Sequence, residues 1–269
     1  MESTSASPAV DLLGFNTVPE PQLQAGLEVA DRKTRNGYGM TTEHTAVGVL
    51  DLMRPRLAML RPDRITYGAS VPKIGILLAY FEIHPEAATH LDPQTRHELG
   101  LMIKISSNEM AAKYSRALGL KQIQEVLYKY GFYDASHGGG IWVGKHYGES
   151  GERIGDPVAD HSHAVTVRQC LRFYSLLEER KLVSEEASRT MRQIFESPEI
   201  RHERNKFVKG LAGRNLEIIR KSGSWENWLH DTAVISGPGR HYALVGLTEH
   251  PKGDDYLAAM AGSVDDLMG

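Results

Sequence analysis

Two blocks of strand-forming sequence lie at opposite ends of this chain, with a long helical middle between them. Thr45 to Leu52 is apolar and β-branched, and Arg56 to Leu60 follows a turn at Pro55. Leu216 to Lys221, Thr232 to Ile235 and His241 to Leu247 read as three more strands, the last two joined through Gly237-Pro238-Gly239. Short strands bury their apolar faces by pairing, so the two blocks are predicted to join in one antiparallel sheet. Residues 70–132, Val165 to Glu179 and Glu185 to Phe195 carry helical periodicity. A short helix over Glu20 to Lys33 and a closing helix over Asp254 to Met268 frame the whole. The predicted class is α+β: an α/β sandwich lobe (20–69 and 212–269) plus an all-α lobe (70–211), in a single domain over 20–269. Residues 1–19, rich in Ser, Pro, Thr and Ala, are predicted to be a disordered tail. Residues 133–163, dense in glycine, form a long irregular segment, of the kind that is either functional or disordered.

The 269 residues suit one large domain with a shared core, and 41% hydrophobic with 24% charged residues is ordinary for a globular protein. A net charge of −3 and the lack of a basic run give no reason to expect nucleic acid or an anionic membrane surface. No stretch of about 18 apolar residues exists to span a bilayer. The single cysteine, Cys170, cannot form an internal disulfide and falls on an apolar helical face with Leu171, Tyr174 and Leu177, where a core residue is expected. The opening Met1-Glu2-Ser3-Thr4 has no cationic start or apolar stretch, which places the chain as it stands in the cytoplasm; a leader ahead of it would make it periplasmic or secreted.

Three short elements carry chemistry. Ser70-Val71-Pro72-Lys73 opens an apolar helical run (Ile74, Leu77, Leu78, Phe81), with Pro72 suited to a first turn and Lys73 one turn beyond Ser70. A helix start offers free N–H groups to an oxyanion, and a neutral lysine can take a serine proton. The bland reading is a serine cap followed by a solvated lysine. Ser106-Ser107-Asn108 lies between apolar helical stretches, where a hydroxyl can relay a proton and an amide can hold a carbonyl or the lysine; a serine here can equally cap the next helix. Lys221-Ser222-Gly223 ends an alternating strand, where a strand edge can bind an extended acyl substrate and the lysine can meet its carboxylate; the alternative is an exposed turn.

Taken in order and context, these elements resemble the S-x-x-K, S-D-N and K-T-G set of class A β-lactamases and penicillin-binding proteins, over about Thr45 to Glu249. The resemblance implies a cleft between the two lobes, with Ser70 as nucleophile, Lys73 as its activator, Ser106 as proton relay and Asn108 as a positioning group. It implies that Lys221 and Ser222 bind a substrate carboxylate, and that the N–H groups of Ser70 and Ser224 form an oxyanion hole beside Gly223. Trp225, directly after them, is a candidate for lining the acyl pocket, as are Trp228 and Trp142, although core packing is the commoner fate of such rings.

The sequence departs from the family at Ser107, where Asp is usual, and at Ser222, where Thr is common. The spacing from Ser70 to Ser106 is short. The deacylating glutamate of class A enzymes, with its following Pro and downstream Asn, has no counterpart before Val165; Glu149 is taken as the candidate, with Glu152, Asp156 and Asp160 as other carboxylates nearby. His161-Ser162-His163 lacks a third ligand by spacing, so neither a metal nor a cofactor is expected. His84, His90 and His97 fall in a polar helical region and are expected to be solvated. The expected function is a β-lactamase-like serine hydrolase that forms an acyl-enzyme with a small or peptide-like amide, ester or β-lactam bearing a carboxylate. The alternatives are a D-alanyl-D-alanine carboxypeptidase or transpeptidase, and a non-catalytic binding module that keeps the fold. Oligomeric state is left open.

Overall fold

The computed structural model describes residues 19–54 and 56–269, so all but the last residue of the expected tail over 1–19, and Pro55, lie outside the described residues. The chain begins with α1 (Pro21–Tyr38), capped by the Glu20 carboxylate, which accepts from the Gln22 and Leu23 amides at 3.0 and 2.7 Å. It runs five residues past the expected end at Lys33 and stops where Gly39 turns left-handed at φ 69°. Next come β1 (Thr45–Asp51), β2 (Arg56–Leu60) and the short β3 (Thr66–Tyr67). The helical middle holds α2 (Lys73–Ile83), α3 (Pro93–Lys104), α4 (Asn108–Leu118) and α5 (Leu120–Lys129). Short strands β4 (Tyr133–Asp134), β5 (Gly139–Gly140), β6 (Trp142–Val143) and β7 (His163–Val165) precede α6 (Val167–Glu178), α7 (Glu185–Glu196) and α8 (Lys206–Gly210). The chain closes with β8 (Glu217–Trp225), β9 (Trp228–Gly237), β10 (Arg240–Glu249) and α9 (Gly253–Met268).

The two terminal blocks do join in one antiparallel sheet, in the order β2-β1-β10-β9-β8. Period-two alternation divides its side chains between two cores. Val47, Val49, Ala58, Leu60, Ala233, Ile235 and Leu244 face α1 and α9, whereas Ala46, Leu50, Leu57, Met59, Val234, Ala243 and Val245 face the helical side. Every residue of β1 is buried, as a strand covered on both faces must be. Packing crosses the expected lobe limits at 70 and 212. Helix α6 lies directly on β1 and β10, and α8 packs on α9. Gly48 permits this approach: a β-carbon there would stand 2.5 Å from Val167 Cγ1.

Helix α2 is apolar on all sides and runs through the middle of the helical packing, with Lys73 its buried charge. The glycine-dense segment is pinned to the body of the protein. β7 pairs with both β3 and β6 in a small sheet, and Ile154 N–H donates to Gly144 O at 2.7 Å. Cys170 is buried in the core as expected, and burial pushes its thiol far up.

Candidate active site

Ser70 stands in a turn that three elements hold in place. Gly68 N–H donates to His163 O on β7 at 2.9 Å, and Tyr147 hydroxyl donates to Ala69 O at 3.0 Å. On the third side lies β8: a β-carbon on Gly223 would come within 3.0 Å of both Ser70 N and Gly68 O. The regular helix starts at Lys73, three residues later than the sequence suggests, because Ala69 is held at φ 47° and the chain tightens through Val71 and Pro72 before α2 begins. Ala69 and Ser106 (φ 60°) are both non-glycine residues in the left-handed region. Such residues cost of order 1–3 kcal/mol each and tend to gather where geometry serves chemistry.

Lys73 has no solvent exposure. Its ammonium donates to Ser106 O at 2.6 Å and Asn108 Oδ1 at 2.8 Å, and lies 4.5 Å from the centroid of the Tyr147 ring. Burial lowers its pKa to about 7, and it is the sole cause of that shift. Ser106 joins this lysine to the second one: its carbonyl takes Lys73, while its hydroxyl accepts from Lys221 Nζ and donates to Ser222 O at 3.3 Å. Lys221 is wholly buried, and its pKa is pushed well down by burial and then by the charges of Lys73, Arg220 and Lys206. Ser107 caps α4, accepting from Met110 N at 3.2 Å, and Asn108 is the first residue of that helix. Capping and site formation therefore coexist here, with Ser107 serving as the cap.

The third motif lies inside a strand. β8 continues past Lys221, Ser222, Gly223 and Ser224 to Trp225, where a tight hairpin turns through Glu226 at φ 49°. This excludes the exposed-turn alternative and makes Gly223 an edge-strand residue packed on the Ser70 turn. Trp225 is 57% exposed and lines the cleft. Trp142 is core: its indole N–H donates to Ile154 O at 2.8 Å and its ring packs on Tyr133. Trp228 packs edge-on to Tyr67.

Sequence reasoning missed Lys206. This buried lysine, at the start of α8 with φ 46°, donates to Ser222 Oγ at 2.9 Å, Ser224 Oγ at 2.6 Å and Gly223 O at 2.8 Å. It sits among Arg201, Arg204 and Lys209 in a polar stretch, and nothing local separates it from solvated neighbours. Arg220, also unassigned, lines the cleft and pairs through Nε with Asp231 at 2.9 Å.

The cleft divides at Ser70 into a cavity of about 220 Å³ towards Ile105, Arg220 and Ser222, and one of about 360 Å³ towards Tyr147, Glu149 and Trp225. Glu149 lines the larger one, with its carboxylate engaged by Arg116 at 2.5 Å. His163 is buried, donates Nε2–H to Lys145 O at 3.0 Å, and has a pKa lowered by burial to about 4. Among the described residues no group of three or more His, Cys, Asp or Glu side chains is placed to hold a metal, and no helix is long and apolar enough to cross a membrane.

A family model described as the beta-lactamase enzyme family matches residues 83–264. The chain belongs to that family. The match starts beyond Ser70 and Lys73, so those two rest on their own geometry. Solved structures with the same fold include a β-lactamase from Sphaerobacter thermophilus at 16% identity (TM-score 0.72), covering 91% of this chain and 97% of that one. A β-lactamase from Xanthomonas campestris is 17% identical (TM-score 0.71, covering 92% and 99%). A mutant of PBP-A, solved as an acyl-enzyme complex with penicillin G, is 14% identical (TM-score 0.70, covering 93% and 97%). No curated protein matches the chain. This member of the β-lactamase family has the expected α+β architecture and brings Ser70, Ser106, Asn108, Ser222 and Ser224 to one cavity wall, with Lys73, Lys221 and Lys206 buried behind it.

Proposed function

We propose that this protein is a serine hydrolase in which Ser70 is acylated by a carboxylate-bearing amide, ester or β-lactam. The observation that carries the reading is the state of Lys73: buried under Tyr147 with a pKa of about 7, it is neutral in a large fraction of molecules at neutral pH. A neutral Lys73 takes the Ser70 proton as Oγ bonds to the substrate carbonyl carbon. The Ser70 and Ser224 N–H groups stabilise the oxyanion. The proton held on Lys73 then returns to the leaving nitrogen or oxygen as its bond to carbon breaks, with Ser106 holding Lys73 through its carbonyl and offering its hydroxyl, which accepts from Lys221, as the relay. The Ser222 and Ser224 hydroxyls, backed by the Lys206 charge, receive the substrate carboxylate, with Lys221 supporting Ser222 through its carbonyl.

The test is intact-protein mass spectrometry after exposure to penicillin G, nitrocefin and a fluorophosphonate, with Ser70→Ala as control. An adduct on the parent protein and none on the variant is the expected outcome. No adduct with any reagent would sink the reading and favour a binding module.

A second reading, a D-alanyl-D-alanine carboxypeptidase or transpeptidase, is favoured by the position of β8. As an edge strand it can pair with an extended peptide whose terminal carboxylate reaches Ser222. Release of D-alanine from a peptide ending in D-Ala-D-Ala, absent in Ser70→Ala, would select it.

A further inference from the structure

An acylated Ser70 must be released by water, and the larger cavity is where that water would stand. Its lining offers few groups able to accept a proton. Glu149 is tied to Arg116. His163 gives Nε2–H to Lys145 O and faces the Ser162 hydroxyl through Nδ1, so both nitrogens are engaged. The Tyr147 ring covers the Lys73 ammonium.

His146 differs from all of these. It lines the same cavity as Ser70, and its Nδ1 lies 2.8 Å from the hydroxyl of Ser115, a buried residue on α4. The Ser115 hydroxyl also reaches Ala112 O at 3.3 Å, and in the tautomer that goes with that bond the Ser115 oxygen accepts from His146 Nδ1–H. That tautomer leaves the lone pair on Nε2. Among the described residues Nε2 has no protein partner. The backbone on either side is anchored, by Lys145 O accepting from His163 and by the Tyr147 hydroxyl donating to Ala69 O. An imidazole with Nδ1 held by a buried hydroxyl and Nε2 without a partner among the described residues, in the wall of the cavity that Ser70 also lines, has what a general base requires.

We propose that His146 is the general base of deacylation and that Ser115 positions it; this rests on the acyl-enzyme reading above. The water oxygen bonds to the acyl carbon as one water proton passes to Nε2. The tetrahedral intermediate then expels Ser70 Oγ, which takes a proton back from the imidazolium, and the acid product leaves.

The experiment separates acylation from release. The parent protein, His146→Ala, Ser115→Ala and Glu149→Gln are each mixed with meta-carboxyphenyl phenylacetate, and the phenylacetyl adduct is followed by mass spectrometry in time. The expected result is that His146→Ala acylates at the parental rate while release slows by about 100-fold or more, and that added imidazole restores part of that rate. Ser115→Ala and Glu149→Gln each slow release less than His146→Ala does. Parental release in His146→Ala, slow release that imidazole does not restore, or slow release in Glu149→Gln instead would overturn the assignment while leaving the acyl-enzyme reading intact. A parent adduct that never turns over, or one that fails to form only in His146→Ala, overturns it equally. Absence of any adduct on the parent protein removes the acyl-enzyme reading itself.

Discussion

The ring of Tyr147 lies 4.5 Å from the Lys73 ammonium and closes it off from the larger cavity, while its hydroxyl is fixed on Ala69 O at 3.0 Å. One side chain therefore both covers Lys73 and braces the turn that carries Ser70. Tyr147→Ala admits water to Lys73, relieves the burial that depresses its pKa, and moves that pKa up from about 7 towards the usual lysine value. In the proposed mechanism acylation uses the neutral amine, so its rate is expected to rise with pH through about 7 in the parent protein. In Tyr147→Ala that rise moves to higher pH and the rate at neutral pH drops. Tyr147→Phe keeps the ring and the parental profile. Stopped-flow acylation by nitrocefin across pH reads both; identical profiles for all three proteins would refute the shielding role.

Lys73 also sets a pH dependence of stability. Its folded pKa, about 7, lies below its unfolded value of 10.5, so between those limits the unfolded chain binds more protons. The contribution of Lys73 is fully present above the unfolded pKa and is lost as pH falls through about 7. Lys73→Met removes this dependence. Urea midpoints measured from pH 7 to 10 should climb less steeply in Lys73→Met than in the parent protein, and acylation should fall by about 100- to 10,000-fold, the range a general base supplies. Equal slopes would mean that the lysine is charged and solvated in the fold.

Much of this was legible in the sequence, and the losses have physical causes. β-branched alternation placed β1, β2 and the three final strands because each buries its faces in period two, and the S-x-x-K and Ser106-Ser107-Asn108 elements fell where the turn and the α4 cap need them. The extent of β8 was underestimated because Ser222, Gly223 and Ser224 have poor strand propensity; their pairing with Asp231, His230 and Leu229 on β9 overrides it. Lys206 was invisible because its burial depends on α8 docking against α9, a contact between distant parts of the chain. His146 lay inside a segment read only as irregular, and its partner Ser115 is 31 residues away on α4. Glu149 was chosen by position alone, which could not reveal Arg116 beside it.

Gly223 on the sheet edge packs against the turn that carries Ser70. A methyl group there meets Ser70 N and Gly68 O, both backbone atoms, at 3.0 Å. Backbone of a braced turn yields less than a flexible side chain, so Gly223→Ala should push Ser70 away from Ser224 and open the oxyanion hole. Loss of one such donor typically costs about 100- to 1,000-fold in rate. Gly223→Ala is therefore expected to keep the parental fold by circular dichroism and to lose acylation on that scale. Retention of the full acylation rate would mean that the two backbones part without consequence, and that Ser224 N–H is not an oxyanion donor.

Lys206 contacts the cleft only through others: its ammonium is buried, and the Ser222 and Ser224 hydroxyls stand between it and the cavity. While they accept from Lys206, these hydroxyls direct their own protons elsewhere. Ser222 Oγ lies 3.3 Å from His230 O, and a substrate carboxylate offers a stronger acceptor. Lys206→Met removes the charge behind both hydroxyls, and hydrogen bonds to charged groups are each worth about 1.5–3 kcal/mol. The preference for a carboxylate-bearing ester over its methyl ester, taken as the ratio of kcat/KM, should fall by about 10- to 100-fold. Turnover of the methyl ester is the internal control for folding, since it makes no use of this charge. A variant that loses both activities together would show that Lys206 holds β8 in place; a variant that keeps the full preference would show that the carboxylate is read elsewhere.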